Sequence, residues 1–237
     1  MRAWIALAAV AVAVVGPPAA SIAESALKSA APPSLIDGRR GATRTVSTIL
    51  PAPSVENACA GKLAAMDIDA VVLPPVAAPL ECVVSAPILL KGVYLPTGHR
   101  VEFAPPAVIS CSLGAAIATW LRSDLAPLIA KENGQLTRME VGGGYECRRR
   151  NRQSIGKFSE HATGNALDLR AFINERGHRM AIAGDLSPPF FAALKLSACK
   201  RFSTVLGPGS DAFHADHLHI DLELRKGASH ICQWTTH

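Results

Sequence analysis

Two stretches of the chain alternate apolar and polar residues with the period of a half-buried β-strand. In residues 216–222, leucine and isoleucine residues alternate with polar ones that include His217 and His219. In residues 166–169, two leucines flank Asp168 in the same way. Because successive side chains of a strand point to opposite faces, each stretch predicts one face packed on a core and one polar face.

The rest of the pattern predicts further short strands and three helices. The longest helix is expected to begin at a cap on Ser112, to be interrupted at Pro127 and to end near Gly134, with Trp120 packed in the core. The other predicted helices cover 58–66 and 188–195, and the predicted strands cover 71–76, 81–85, 138–141 and 202–206. This order predicts an α+β domain with a central antiparallel sheet and flanking helices.

The N-terminal 23 residues have the pattern of a secretory signal peptide. Arg2 precedes an apolar run over residues 3–15, and Ser21-Ile22-Ala23 forms a small-x-small cleavage site. The apolar run is shorter than the roughly 18–20 residues that span a bilayer, so no stable membrane anchor is expected after cleavage. Residues 24–57 are rich in Ala, Ser and Pro and are interpreted as a flexible linker, which leaves 58–237 as one domain.

All six cysteines follow the linker, and an even number in an exported chain predicts three disulfides. Six cysteines allow 15 pairings, and the sequence does not choose among them. Proximity along the chain suggests Cys199–Cys232 and Cys82–Cys111. No Cys-x-x-Cys occurs, which disfavours a thiolate zinc cluster or a redox site.

Two runs, residues 159–168 and 216–221, carry the side chains of a zinc site. A catalytic zinc takes three imidazole or carboxylate ligands and leaves a position for water, and His161, Asp168 and His219 provide such a set. A tight turn at 164–165 would bring His161 back toward Asp168. Asp221 follows on the same strand, either as an acceptor that orients a ligand histidine or as a surface ion-pair partner.

The spacing Ser-x-His-x6-Asp followed by His-x-His resembles that of the LAS metallopeptidases, the group of lysostaphin and D-Ala-D-Ala carboxypeptidase. The surrounding sequence more closely resembles the extensin-like C-terminal domain proteins of Gram-negative bacteria. The resemblance lies in Tyr145-Glu146-Cys147-Arg148, Ser159-Glu160-His161 and Asp216-His217-Leu218-His219. This similarity covers about residues 58–233. It implies a LAS-like, disulfide-bridged fold and a zinc peptidase of the periplasm.

The resemblance also implies substrates and roles. The expected substrate is the peptide stem or cross-link of peptidoglycan, cleaved by an endopeptidase or a D-Ala carboxypeptidase. His217 and Asp216 are both candidates for the base, with His217 favoured because it shares a face with His219, and His214 is a third candidate. Arg148, with Arg149 as runner-up, matches an arginine that binds a carboxylate or stabilises the oxyanion.

Charge adds little to this picture. The formal charge of +5 becomes +4 without the signal peptide, which suits an anionic cell wall as well as any basic soluble protein. The arginine-rich run at 148–152 has no interleaved aromatic residues and lies in an exported chain, so nucleic acid is not an expected partner. The alternative to an enzyme is a wall-binding module that keeps the fold without turnover.

Overall fold

A computed structural model describes residues 54–76, 78–184 and 186–235. The predicted signal peptide and nearly all of the predicted linker lie outside the described residues. Helix α1 begins at Val55, so its first three residues fall within the predicted linker. The helix starts behind a Ser54 cap whose hydroxyl accepts from Asn57 N at 3.2 Å.

One mixed sheet organises the described residues. Its strands are β1 Ile68–Val72, β2 Pro87–Tyr94, β3 Arg100–Ser110, β4 Leu136–Gly143, β5 Ala166–Asn174, β6 Arg179–Ala181, β7 Thr204–Leu206, β8 Leu218–Asp221 and β9 Ile231–Gln233. The spatial order is β1-β2-β3-β4-β5-β8-β7-β9, with β6 paired to β5. The short strand β8 therefore lies between β5 and β7, and all four of its residues are buried.

The α+β class is confirmed, but the expectation of an antiparallel sheet is only partly right. Strands β3 and β4 are parallel, as are β7 and β9. A helical crossover connects β3 to β4, and a connection of this kind lets the second strand run in the same direction as the first. The sequence pattern missed this pairing because it did not predict β3.

The strands β2 and β3 were missed, and the predicted strand at 81–85 is wrong, since Leu80–Cys82 form a single 3-10 turn. Two prolines, Pro105 and Pro106, interrupt the pattern of β3 and argue against a strand there. They lie at exposed positions in a bulge, where the register with β2 steps from Glu102 to Ala107. Proline is tolerated at a bulge because its missing N–H is not needed for the ladder.

Helices cover the sheet close to the predicted places. They are α1 Val55–Ala65, α2 Cys111–Trp120, α3 Ala126–Asn133 and α4 Pro188–Arg201, with a π-helical turn between α2 and α3. The cap of α2 is Ser110 rather than Ser112, and its hydroxyl accepts from Leu113 N at 3.2 Å. Trp120 is fully buried and donates to Ser197 Oγ at 3.0 Å, which confirms its packing role. Among the described residues, no helix combines the length and the hydropathy that a membrane span needs.

Three disulfides cross-link the domain: Cys59–Cys111, Cys82–Cys147 and Cys199–Cys232. The number and the third pair were predicted, but the suggested Cys82–Cys111 bridge is wrong. Cys111 begins α2 and faces α1, where Cys59 is its partner. Cys82 instead meets the loop after β4, where the Tyr145 hydroxyl also donates to the Cys82 carbonyl at 3.1 Å.

Candidate metal centre

The register of β5 against β8 places two polar residues opposite each other. Asp168 pairs with His219 across the antiparallel ladder, so the two side chains project from the same face. Asp168 Oδ1 lies 3.0 Å from His219 Nδ1. The leucine and isoleucine neighbours of both residues are fully buried on the other face, as the alternating pattern predicted.

A 3-10 turn at Glu160–Thr163 delivers the third side chain. The Ser159 hydroxyl accepts from His161 N at 3.4 Å, and Asn165 Nδ2 donates to Glu160 Oε2 at 2.7 Å, so both ends of the turn are held. Gly164 ends the turn with φ of 64°, and a Cβ there would meet the Ser110 backbone N at 3.0 Å. The predicted return of His161 toward Asp168 is therefore observed.

Three ligand atoms converge at this point. His161 Nε2 lies 3.2 Å from Asp168 Oδ1 and 3.2 Å from His219 Nδ1. Ligands held at about 2.0–2.1 Å around a tetrahedral metal ion lie about 3.3 Å apart, so the three separations match such a set closely. Within the described residues this is the one group of three or more His, Cys, Asp or Glu with metal-like spacing.

The outer partners of both histidines fix which ring nitrogen carries the proton in the neutral form. His161 Nδ1 lies 2.7 Å from the Gly144 carbonyl oxygen, which can only accept. His219 Nε2 lies 3.1 Å from the buried Asp221 carboxylate, which also accepts. In the neutral rings, His161 Nε2 and His219 Nδ1 therefore carry no proton, and their lone pairs face Asp168. Histidines that bind a metal are commonly oriented in this way by a hydrogen bond at the other ring nitrogen.

Gly144 is part of this orientation. A Cβ at Gly144 would approach the Val108 carbonyl oxygen to 2.7 Å, so a side chain there would push the backbone out of place. Its carbonyl is the acceptor for His161, and the same displacement would release the imidazole. Of the two readings of Asp221, the orienting acceptor is the one observed, since its side chain is only 4% exposed.

The electrostatics of the cluster favour a positive charge between its side chains. Burial raises the pKa of Asp168, but hydrogen bonds from His161 and His219 outweigh it and hold that pKa well below its usual range. Burial lowers the pKa of His219, yet Asp168 and Asp221 outweigh it and raise the pKa to about 9. The two carboxylates thus favour a positive charge at His219.

His217 and Asp216 lie just before β8 rather than on it. Strand alternation therefore does not determine where their side chains point, and their contacts do. His217 Nε2 is 3.6 Å from Asp168 Oδ1, and its Nδ1 is 2.9 Å from Asp216 Oδ1. Asp216 is mostly exposed, and its Oδ2 accepts from Arg170 at 2.8 Å. His217 therefore faces the cluster, while Asp216 stands behind it.

His214 lies further along the same wall. Its ring centroid is 5.3 Å from that of His217 and 5.5 Å from that of His219. Its Nδ1 is 2.7 Å from Asp211 Oδ1. Burial lowers the pKa of His214 despite the Asp211 contact.

Arg148 lines the same cleft as the cluster, whereas Arg149 does not. The Arg148 Nε donates to Glu146 Oε2 at 2.8 Å, and the preceding residue is tied down by the Cys82–Cys147 disulfide. The Arg149 guanidinium instead stacks 4.4 Å above the Phe158 ring. Position alone therefore favours Arg148 over its runner-up.

The cluster sits in an open cleft of about 560 Å³. Several lining residues were not singled out from the sequence: Glu146, Arg170, Asp211, Phe213, Glu223 and Arg225. Two of them continue the alternation already used, because Arg170 follows Asp168 by two positions and Glu223 follows Asp221 by two. The others come from loops, where no period marks the direction of a side chain.

These features define a disulfide-bridged α+β domain with a His-Asp-His cluster that lines a cleft and could hold a metal ion. The family model described as "Extensin-like protein C-terminus" matches residues 57–233, and the chain belongs to that family. A search of curated proteins finds no match.

Proposed function

We propose that this protein is a zinc-dependent peptidase of the periplasm, related to the LAS metallopeptidases, that hydrolyses amide bonds in peptidoglycan stems or cross-links. The observation that carries the proposal is the convergence of two oriented imidazole lone pairs and one carboxylate oxygen within 3.2 Å of one another. Catalytic zinc requires three such protein ligands and a further position for water, and this cluster lines an open cleft.

His161, Asp168 and His219 would hold the ion. Zinc bound there supplies a Lewis acid and a water molecule whose pKa is lowered toward about 7. The Gly144 carbonyl and Asp221 hold the two imidazoles in the orientation that points a lone pair of each at the ion. Mixed nitrogen and oxygen donors without cysteine favour zinc over soft metals such as Cu(I), and the imidazoles argue against Mg²⁺ or Ca²⁺.

His217 is the proposed general base. In its neutral form Nδ1–H donates to Asp216, which leaves the Nε2 lone pair directed at the cluster. It would accept a proton from the attacking water at Nε2 and return it to the leaving amine. Asp216 orients the His217 ring, and Arg170 in turn holds Asp216. His217 and Asp216, the two candidates for the base, would thus act together, His217 as the base and Asp216 as its support.

Arg148 is the proposed electrostatic stabiliser. A cation in the cleft wall lowers the energy of the negative charge that develops on the carbonyl oxygen during attack. Its side chain is 22% exposed and is braced by Glu146, so part of the guanidinium is held and part remains accessible. A held donor needs little reorganisation during the reaction.

Zinc binding at pH 6.5 is expected to release about one proton per chain. His219 in the metal-free protein has a pKa of about 9 and is protonated at that pH, and zinc must displace the proton from Nδ1. A bound water of pKa about 7 adds roughly a quarter of a proton at pH 6.5. Calorimetric titrations in two buffers of different ionisation enthalpy measure the number; identical enthalpies in both buffers would contradict the raised pKa.

Peptidoglycan fragments test the function. Purified cross-linked and uncross-linked muropeptides are incubated with zinc-loaded protein, and the products are identified by mass. Loss of a cross-link indicates an endopeptidase, and loss of a terminal residue indicates a carboxypeptidase. If neither occurs while the fragments bind, the wall-binding module becomes the better description.

The proposed compartment follows from redox chemistry and the N-terminal pattern. Three disulfides in a domain of this size form and persist where the surroundings are oxidising. The signal-peptide pattern supplies a route to that compartment. Peptidoglycan is then within reach as a substrate.

A further inference from the structure

Three cations surround a single carboxylate, Glu223, at the edge of the cleft: Arg150 and Arg225 line the cleft with Glu223, and Lys157 reaches Glu223 from outside that lining. Arg150 donates to Glu223 Oε1 at 2.7 Å, Lys157 contacts the same oxygen, and Arg225 contacts Oε2. We call these four residues the Glu223 cluster. Glu223 is only 7% exposed at its side chain, whereas Arg150 is 42% exposed and Lys157 is 66% exposed.

The cluster has an inner and an outer part. Arg225 is 14% exposed and also donates to the Ser203 carbonyl at 2.9 Å and to Thr204 Oγ1 at 2.6 Å, so it is a fixed structural member. In the described part of the chain, Glu223 is the one carboxylate that Arg150 and Lys157 contact. Their remaining N–H donors are therefore available to a ligand.

The charges of the cluster do not balance. One carboxylate faces three cations, which leaves two formal positive charges in the cluster. Asp221, two residues before Glu223, is committed to His219 and to the Glu223 backbone N at 2.9 Å. Like charges held this close repel, and one buried counterion reduces the repulsion without removing it.

The cluster lies close to the metal centre. Glu223 is four residues beyond His219, which bounds the separation of their Cα atoms at about 14 Å. That span corresponds to a few residues of an extended peptide. A substrate whose amide reaches the centre can therefore place a nearby carboxylate against this cluster.

We propose that Arg150 and Lys157, held on Glu223, form a subsite for a free carboxylate of the peptide substrate. This inference rests on the proposed function and deepens it by selecting peptides that carry an anionic group near the cleaved bond. Arg150 offers a planar pair of donors and Lys157 a point charge, a combination suited to a carboxylate. Glu223 is the positioning residue that keeps the two cations together.

The test compares the binding of matched muropeptides by calorimetry. An uncross-linked muropeptide is compared with derivatives amidated at each free carboxylate in turn, using zinc-loaded His217→Ala protein to prevent turnover. Amidation at one position is expected to weaken binding about tenfold or more, as for loss of a charge-assisted hydrogen bond. Adding Arg150→Met and Lys157→Met should abolish that discrimination while keeping the side-chain stems.

A control variant and the turnover assay separate the two proposals. Arg138→Met removes an exposed arginine that is paired with Glu102 outside the cleft, and it should leave the discrimination intact. Equal binding of free and amidated peptides, discrimination that survives in the double variant, or no binding at all overturns the subsite. Carboxylate-selective binding with no cleavage by wild-type protein would support the subsite and overturn only the peptidase.

Discussion

Replacing His161 with alanine is expected to abolish both zinc binding and peptide hydrolysis. The substitution removes one of three converging ligand atoms and leaves Asp168 and His219 as a two-ligand site. Loss of an outer partner of a ligand already lowers metal affinity by about 10- to 100-fold, so loss of the ligand should lower it by more than about a hundredfold. Metal content of the purified protein and product formation from muropeptides measure the two effects.

The matched control is His178→Ala. His178 is an exposed histidine outside the cleft, and its loss should change neither zinc content nor activity. A circular dichroism spectrum and a melting curve of the zinc-free proteins show whether the His161 variant folds. A folded His161→Ala protein that retains one zinc ion per chain, or that cleaves muropeptides at the wild-type rate, would overturn the proposed centre.

Replacing His217 with alanine is expected to lower kcat by about 10²- to 10⁴-fold, the usual contribution of general acid–base catalysis. Zinc content should remain unchanged, because His217 Nε2 is oriented toward the cluster but is not one of its three converging atoms. The expected result thus separates catalysis from metal binding, which the His161 variant cannot do. Rates with saturating muropeptide, together with metal analysis, provide the measurement.

Asp216→Asn distinguishes the two candidates for the base. The imidazole remains in this variant but loses a charged acceptor at Nδ1, which is worth about 1.5–3 kcal/mol and corresponds to about a 10- to 100-fold lower kcat. The smaller loss at Asp216 than at His217 is the expected order. The reverse order would make Asp216 the base and His217 its support.

Much of the site was readable from the sequence because the chemistry coincides with strand periodicity. Asp168 and His219 each alternate with buried leucine or isoleucine, so their faces follow from a period of two. His161 sits before a glycine that must adopt a left-handed conformation, and a turn at Gly164 is a local property. Local signals of this kind survive without knowledge of the fold.

The parts that were missed depend on contacts between distant segments. The strand β3 contains two prolines, and only its pairing partners reveal that they fall in a bulge. The pairing of Cys82 with Cys147 joins residues 65 positions apart, which no spacing rule selects. The Glu223 cluster likewise brings Arg150 and Lys157, from the connection between β4 and β5, to Glu223 and Arg225, which follow β8.

The sequence by itself determined the ligand types, the faces of the strands that carry Asp168 and His219, and the expectation of an α+β domain with three disulfides. The tertiary structure decided the mixed direction of the sheet, the disulfide pairing, the tautomers of His161 and His219 and the order of Arg170, Asp216 and His217. The physical reason is the separation along the chain of the residues that determine each property. A residue's face follows from backbone geometry over a few positions, whereas its hydrogen-bond partner is set by segments that meet only when the chain has folded.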